Sequence, residues 1–196
     1  MKSRRYTSPL RARGAEITRQ RILDAAFARF SSQYYDDVTL DAVAADAGVT
    51  VQTVLRRFDS KESLVRAIVE ARTPRVTTQR DQAPVGDAAG AVSNLLDHYE
   101  SIGDLVMLLL RQEERVRPFA DVTAFGKAYH VEWVERVFAP WLGEREGEER
   151  VLLRAQLVAV CDTYTWYLLR RQQGLTRAQT QQALVGLVTG ALNSAR

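Results

Sequence analysis

An all-α protein is predicted by three features of this 196-residue chain. Long segments repeat apolar residues at helical spacing. No stretch alternates apolar and polar residues as a half-buried strand would, and no Asn-Gly or Asp-Gly hairpin turn occurs. The five prolines, Pro9, Pro74, Pro84, Pro118 and Pro140, each fall at a boundary between periodic segments or in a connection.

The first helix is expected from about Glu16 to Gln33, where Ile22, Ala25, Ala26 and Phe30 form an apolar stripe with Arg29 at its edge. Thr39 can cap a second helix over Leu40 to Asp46, and Gly48 suits the positive φ of a tight turn. Thr50 can cap a third helix ending near Phe58, and Ser60 or Ser63 a fourth ending at Thr73, since Pro74 biases Thr73 away from helical angles. Residues 74–87 read as a polar linker. Five more helical segments follow, over about 88–101, 104–116, 118–139, 147–172 and 177–193, separated by Gly103, Pro118, Pro140 with Gly143, and Gly174. The expected total is about nine helices in three divisions: a basic flexible arm over 1–15, a domain over 16–73 and a helical domain over 74–196.

Charge is unevenly distributed along the chain. Of the formal +3, residues 1–21 hold +6 through Lys2, Arg4, Arg5, Arg11, Arg13, Arg19 and Arg21 against Glu16; residues 22–80 are neutral, and residues 81–196 carry −3. A basic tail on a nearly neutral body suits a polyanion and predicts charge-driven, sequence-independent affinity. Cys161 is the only cysteine, so neither an internal disulfide nor a paired-Cys metal site can form. The longest apolar run, Leu105 to Leu110, is far short of the roughly 20 residues that span a bilayer, and no apolar run follows the basic N-terminus. A cytoplasmic location is expected. His98 and His130 have no metal-spaced partner, and no phosphate loop, paired-carboxylate motif or nucleophile elbow occurs, so neither enzyme activity nor a metal or cofactor is expected.

The segment Leu40 to Phe58, LDAVAADAGVTVQTVLRRF, carries the functional signal. Leu40, Val43, Ala44, Ala47, Val49, Val54 and Phe58 can close a small core between two steeply crossed helices. The small Ala44 and Ala47 let the backbones approach. This is helix-turn-helix spacing, in which the first helix props the second and the second keeps one face free. That face should present Val51, Gln52, Thr53, Arg56 and Arg57. Glutamine can make a bidentate contact to adenine, arginine can read guanine or hold phosphate, and threonine offers a hydroxyl or a methyl. Lys61, in the first turn of the next helix beside free backbone N–H groups, can meet a phosphate, and Thr39 and Thr50 can add phosphate bonds to their capping role.

From Thr39 to Leu64, and in detail at Ala47-Gly48-Val49-Thr50, Phe58 and Ser60-Lys61-Glu62-Ser63-Leu64, the chain resembles the N-terminal domain of TetR-family transcriptional regulators. The match covers about residues 17–70; the helical remainder agrees in length and layout. The resemblance implies a DNA-binding regulator, a repressor acting as a dimer on a near-palindromic operator and released by a small molecule. It differs at one point: where the family commonly ends its recognition helix Tyr-Arg-His-Phe, this chain has Leu55-Arg56-Arg57-Phe58. Leu55 gives up a phenolic phosphate donor and Arg57 adds a permanent charge. The alternative reading is a small-molecule-binding or protein-interaction dimer whose helix-turn-helix no longer binds DNA.

Two surfaces are expected in the C-terminal part. Residues 183–192, Ala-Leu-Val-Gly-Leu-Val-Thr-Gly-Ala-Leu, place Gly186 and Gly190 four apart in an apolar helix, which together with the preceding one predicts a homodimer through about residues 147–193. A ligand pocket for a small organic effector would draw on His98, Tyr99, Met107, Arg111, Phe125, Tyr129, Trp133, Asp162 and Trp166. The same helices also carry Glu114, His130, Cys161, Tyr164 and Tyr167. Asp162 interrupts an otherwise apolar run and needs a partner if buried, while the rim of a helix pair would also suit it.

Overall fold

The computed structural model describes residues 9–194, and every regular element among them is helical. The chain divides into two units at Arg72–Thr73.

In the first unit, α1 (Pro9–Phe30), α2 (Leu40–Ala47), α3 (Val51–Phe58) and the first half of α4 (Lys61–Asp81) enclose a core of Ile22, Leu23, Ala26, Phe30, Val43, Ala44, Ala47, Val54, Phe58, Leu64 and Ile68. A single 3-10 turn, Tyr35–Asp37, leads into α2. Ion pairs brace α1 on both sides. The Arg29 guanidinium grips Asp46 through two bonds of 2.6 and 3.1 Å, and Arg72 reaches Asp24 at 2.8 Å while lying 4.0 Å from the centroid of the Phe27 ring.

The expected flexible arm over 1–15 is corrected for its second half: α1 begins at Pro9, seven residues before Glu16. Proline is tolerated in a first helical turn, where its missing N–H would be unsatisfied anyway, and Gly14 costs only about 1 kcal/mol in a helix interior. The basic cluster before Pro9 lies outside the described residues.

The second unit contains the remainder of α4, then α5 (Ala88–Leu110), α6 (Arg117–Val137), α7 (Ala139–Gly143), α8 (Gly147–Val160), α9 (Thr163–Tyr167) and α10 (Arg177–Ser194). One apolar core joins them, built on Leu95, Leu96, Trp133, Phe138, Leu157, Trp166 and Leu184. The Thr176 hydroxyl accepts from the Gln179 N–H while the Gln179 Oε1 accepts from the Thr176 N–H, so a reciprocal capping box starts α10.

Three further boundaries differ from expectation. The linker expected over 74–87 is helical to Asp81, with Pro74 inside α4. An interior proline forfeits a backbone bond at a cost of about 3 kcal/mol, and side chains beyond it offset that cost. The Gln79 and Asn94 side-chain amides each donate to the other's backbone carbonyl, Trp133 Nε1 donates to the Arg80 backbone carbonyl at 3.1 Å, and the Tyr129 hydroxyl reaches Asp81 at 2.6 Å. The two helices expected on either side of Gly103 are one continuous α5. Conversely, the single helix expected over 147–172 breaks at Cys161–Asp162, then runs as α9 into a π-helical turn over Leu168–Gln172.

Candidate nucleic-acid interface

The turn between α2 and α3 is built from two caps and one glycine. The Thr39 hydroxyl accepts from the Ala42 N–H at 3.1 Å, which starts α2, and Gly48 ends it at φ 62°, where its N–H returns to the carbonyls of Ala44 and Ala45. Thr50 Oγ1 then accepts from the Thr53 N–H at 3.2 Å and shares a hydrogen bond with the Thr53 hydroxyl at 3.0 Å, which starts α3. Val54 and Phe58, four residues apart, point into the core. Gln52 and Arg56, also four apart, are exposed, and neither side chain spends a donor on another described residue. The short helix therefore divides cleanly into an anchoring face and a free face.

The other expected contacts sit around that pair. Thr39 and Thr50 are exposed; Val51, Thr53 and Leu55 are half-buried at the edges of the face. Leu55 is therefore not drawn into the core. Arg57 is half-buried, and its Nε is enclosed without an acceptor among the described residues. Lys61 opens α4 and folds back: its ammonium donates to the Tyr35 carbonyl and stands 4.1 Å from the centroid of the Tyr35 ring. Partial burial lowers the Lys61 pKa, against the opposing pull of Asp36 and Asp37. An ammonium has three donors, so this fixed position leaves two for a phosphate.

The structure separates the nine residues expected to line a pocket. His98, Tyr99, Trp133 and Trp166 are buried in one neighbourhood of the second unit, with His98 and Tyr99 rings 5.2 Å apart and Tyr99 and Trp166 rings 5.8 Å apart. Met107 is buried farther along α5. Arg111 is exposed and donates to the Tyr167 hydroxyl at 3.0 Å; Phe125 is exposed and stacks on Tyr129, which is tied to Asp81. Asp162 is half-exposed and caps α9 by accepting from the Tyr164 N–H at 2.8 Å, so the helix break supplies the partner it needs.

That break also explains the polar groups around it. Carbonyls freed near the end of α8 take side-chain donors: the Tyr99 hydroxyl donates to Cys161 O at 2.9 Å, Thr165 Oγ1 to Ala159 O at 2.7 Å, and His130 Nε2 meets Val158 O at 3.0 Å. Burial pushes the Cys161 thiol and the Tyr99 hydroxyl up to about 12, and it pulls His98 down to about 3 with help from the nearby Arg80 and His130. Sequence reasoning missed one member of this neighbourhood, Arg80, because it fell in the expected linker. The four-residue step Ile68, Arg72, Val76, Arg80, which carries one helical face through Pro74, was the available signal.

The family model for bacterial regulatory proteins of the tetR family matches residues 22–68, which hold α2, α3 and most of the core around them. The chain belongs to the TetR family. As such it is a DNA-binding transcriptional regulator. It is 45% identical over 58 residues to the HTH-type transcriptional regulator SrpR of Pseudomonas putida, a match that covers 30% of this chain and 27% of that protein. It is 27% identical over 176 residues to the HTH-type transcriptional repressor KstR of Rhodococcus jostii (strain RHA1), covering 88% of this chain and 82% of that one. The likeness of fold extends through both units. The crystal structure of a transcriptional regulator from Rhodococcus sp. Rha1 superposes with a TM-score of 0.70 at 15% identity, over 90% of this chain and 96% of that chain. Among the described residues, no helix is long and apolar enough to cross a membrane.

Proposed function

We propose that this regulator is a repressor that binds a near-palindromic operator as a homodimer and is released by a small organic effector. The observation that carries the reading is the division of α3, where Val54 and Phe58 are anchored while Gln52 and Arg56 stand free on the opposite side. Gln52 suits a bidentate contact to adenine and Arg56 one to guanine; Thr39, Thr50, Thr53, Arg57 and Lys61 surround them with groups suited to phosphate. One recognition helix of eight residues reads few bases. Two related by a two-fold axis, roughly 34–36 Å apart, would enter successive major grooves, so dimerisation makes the short helix sufficient.

Release follows if the effector binds the second unit more tightly in the conformation that fits DNA poorly. α4 is the natural carrier, since one helix holds both Lys61 beside the reading head and Arg80 in the effector unit. The test is a gel shift with DNA from upstream of the chain's own coding sequence. The wild-type dimer is expected to prefer that DNA over random competitor. Gln52→Ala and Arg56→Ala should each lose about 1–3 kcal/mol of discrimination while retaining nonspecific affinity. Equal affinity for the upstream and random DNA would sink the proposal.

A further inference from the structure

Arg80 is a buried cation with no carboxylate to meet it. It is 3% exposed, and no ion pair reaches it from any described residue. Its Nε is enclosed without an acceptor. Among the described residues the guanidinium makes one hydrogen-bonding contact, and it is long, 3.4 Å from Nη2 to His130 Nδ1. The tautomer of that histidine follows from its other side. Val158 O can only accept, so Nε2 carries the proton and Nδ1 offers its lone pair to Arg80. Burial and the neighbouring guanidinium lower the His130 pKa, in keeping with a neutral ring. His98, on α5, is likewise held neutral. The guanidinium lies against aromatic faces, with its carbon 4.4 Å from the Trp133 centroid and 5.9 Å from that of Tyr99.

A fork of five N–H donors is thus set among α4, α5 and α6 with one of them engaged, and a guanidinium does not surrender its charge. Buried charges are ordinarily paired, and an unpaired one is costly unless another molecule completes it. Asp162, the carboxylate that bears electrostatically on His130 and Tyr99, is engaged instead in capping α9. We infer that the effector of this regulator is a small organic carboxylate with an apolar body, whose two oxygens pair with the Arg80 fork. A single negative charge fits because one cation stands among neutral histidines, where a dianion would bring an excess charge into the core. A planar carboxylate fits the fork bidentately. The Trp133 and Tyr99 rings against the guanidinium call for an apolar body rather than a sugar or a polyol. This inference rests on the proposed effector-released reading and narrows it to one chemical class.

The experiment compares acids with their own amides on the full-length dimer: benzoate, 1-naphthoate, indole-3-acetate and decanoate against the matching carboxamides, at constant ionic strength. Thermal melting and Trp133-dependent fluorescence report binding without DNA, and a gel shift reports release. At least one acid should raise the melting temperature in a saturable way and bind tenfold or more tightly than its amide. Arg80→Met should melt cooperatively, bind DNA as wild type does and lose that preference. If Arg80→Met fails to fold, the acid-to-amide comparison on the wild type, together with the weaker acid binding expected of Arg80→Lys, decides the question. Equal response to acids and amides, no response to any acid at millimolar concentration, or an undiminished acid preference in Arg80→Met would overturn the inference. Failure of the two readings is distinguishable. A carboxylate that binds through Arg80 without releasing DNA defeats effector release and leaves the anion site standing, whereas release by the amides alone defeats the anion site and supports effector release.

Discussion

His98 is 8% exposed beside Arg80 and His130, and its imidazole is held neutral in the folded chain with a pKa of about 3 against an ordinary 6.5. Burial is the larger cause and Arg80 the next. Because the folded value lies below the unfolded one, the associated stability is present above pH 6.5 and is lost as pH falls toward the folded value. The unfolded chain takes up the proton first. Between pH 7 and 5 this costs about 2 kcal/mol, at roughly 1.4 kcal/mol per pH unit below the ordinary value. His130, shifted in the same direction, adds to it. Carboxylates such as Asp46 and Glu100 act lower: Asp46 is lowered by its bond to Arg29, and Glu100, although raised by burial, is lowered on balance by the bonds from Arg170 and Trp166. Urea unfolding at pH 7, 6 and 5 should therefore show a declining midpoint that flattens in His98→Leu; a flat wild-type profile would show that the ring is not kept neutral. The residue scale is also where the sequence was least informative about the second unit. Arg80 looks like any solvated charge in a polar stretch, since its burial is decided by Trp133, Tyr129 and Asn94 holding the end of α4, contacts that span 15 or more residues and that local composition does not encode. In the α2–α3 turn the opposite holds. Thr39, Gly48 and Thr50 act on neighbours three or four residues away, and their roles are legible from spacing alone.

At the scale of elements, two glycines with the same appearance in the sequence behave differently. Gly48 ends a helix because its φ of 62° is open to a residue without a Cβ. Gly103 ends nothing. It lies buried inside α5, where a Cβ would come within 2.4 Å of the Trp166 ring, so it is a seat for that indole. Trp166 in turn is fixed by its Nε1 bond to Glu100 at 3.1 Å, one turn earlier on the same helix as the glycine. An exposed interior Gly→Ala change stabilises a helix by up to about 1 kcal/mol. Gly103→Ala should instead destabilise by about 1–3 kcal/mol, because rigid ring atoms rather than a flexible side-chain end meet the new methyl. Thermal or urea unfolding of Gly103→Ala beside Gly126→Ala, where nothing lies within 4 Å, separates the two effects; a stabilised Gly103→Ala would refute the seat. The same packing explains why the expected helix over 147–172 is broken. An Asp in an apolar run reads as a polar interruption of one helix, but its carboxylate caps the Tyr164 N–H and starts another, and of the carbonyls it frees one is taken up locally by Thr165 and one by Tyr99 from far outside the local window.

For the whole molecule, charge and apolar exposure divide the tasks. The basic excess in residues 1–21 precedes the helix-turn-helix, whose own stretch to residue 80 is neutral, so in the proposed function nonspecific attraction and choice of site would come from different parts of the chain. The acidic part, from residue 81 onward, carries apolar side chains that its own core leaves uncovered. Val151 and Leu152 on α8, Tyr164 and Leu168 after the helix break, and Leu187 on α10 are each about half exposed or more. A Cβ added at Gly186 or Gly190 on α10 would meet no atom of the chain within 4 Å, so a second helix has room to approach there. A two-fold partner pairing α8 and α10 with their copies would cover this surface as a four-helix bundle, consistent with the proposed dimer. Leu152→Glu with Leu187→Glu adds like charges on that face without touching the core, so the folded chain should persist while the dimer dissociates. Sedimentation should then give a monomer near 22.1 kDa with unchanged helical circular dichroism. Because each monomer would meet one half-site alone, operator affinity should fall by at least tenfold, while Arg80, set among α4, α5 and α6 of one chain, stays available to a carboxylate. A double variant that remains dimeric would move the interface away from α8 and α10, and one that is monomeric yet binds the operator at full affinity would remove the need for two-fold symmetry altogether.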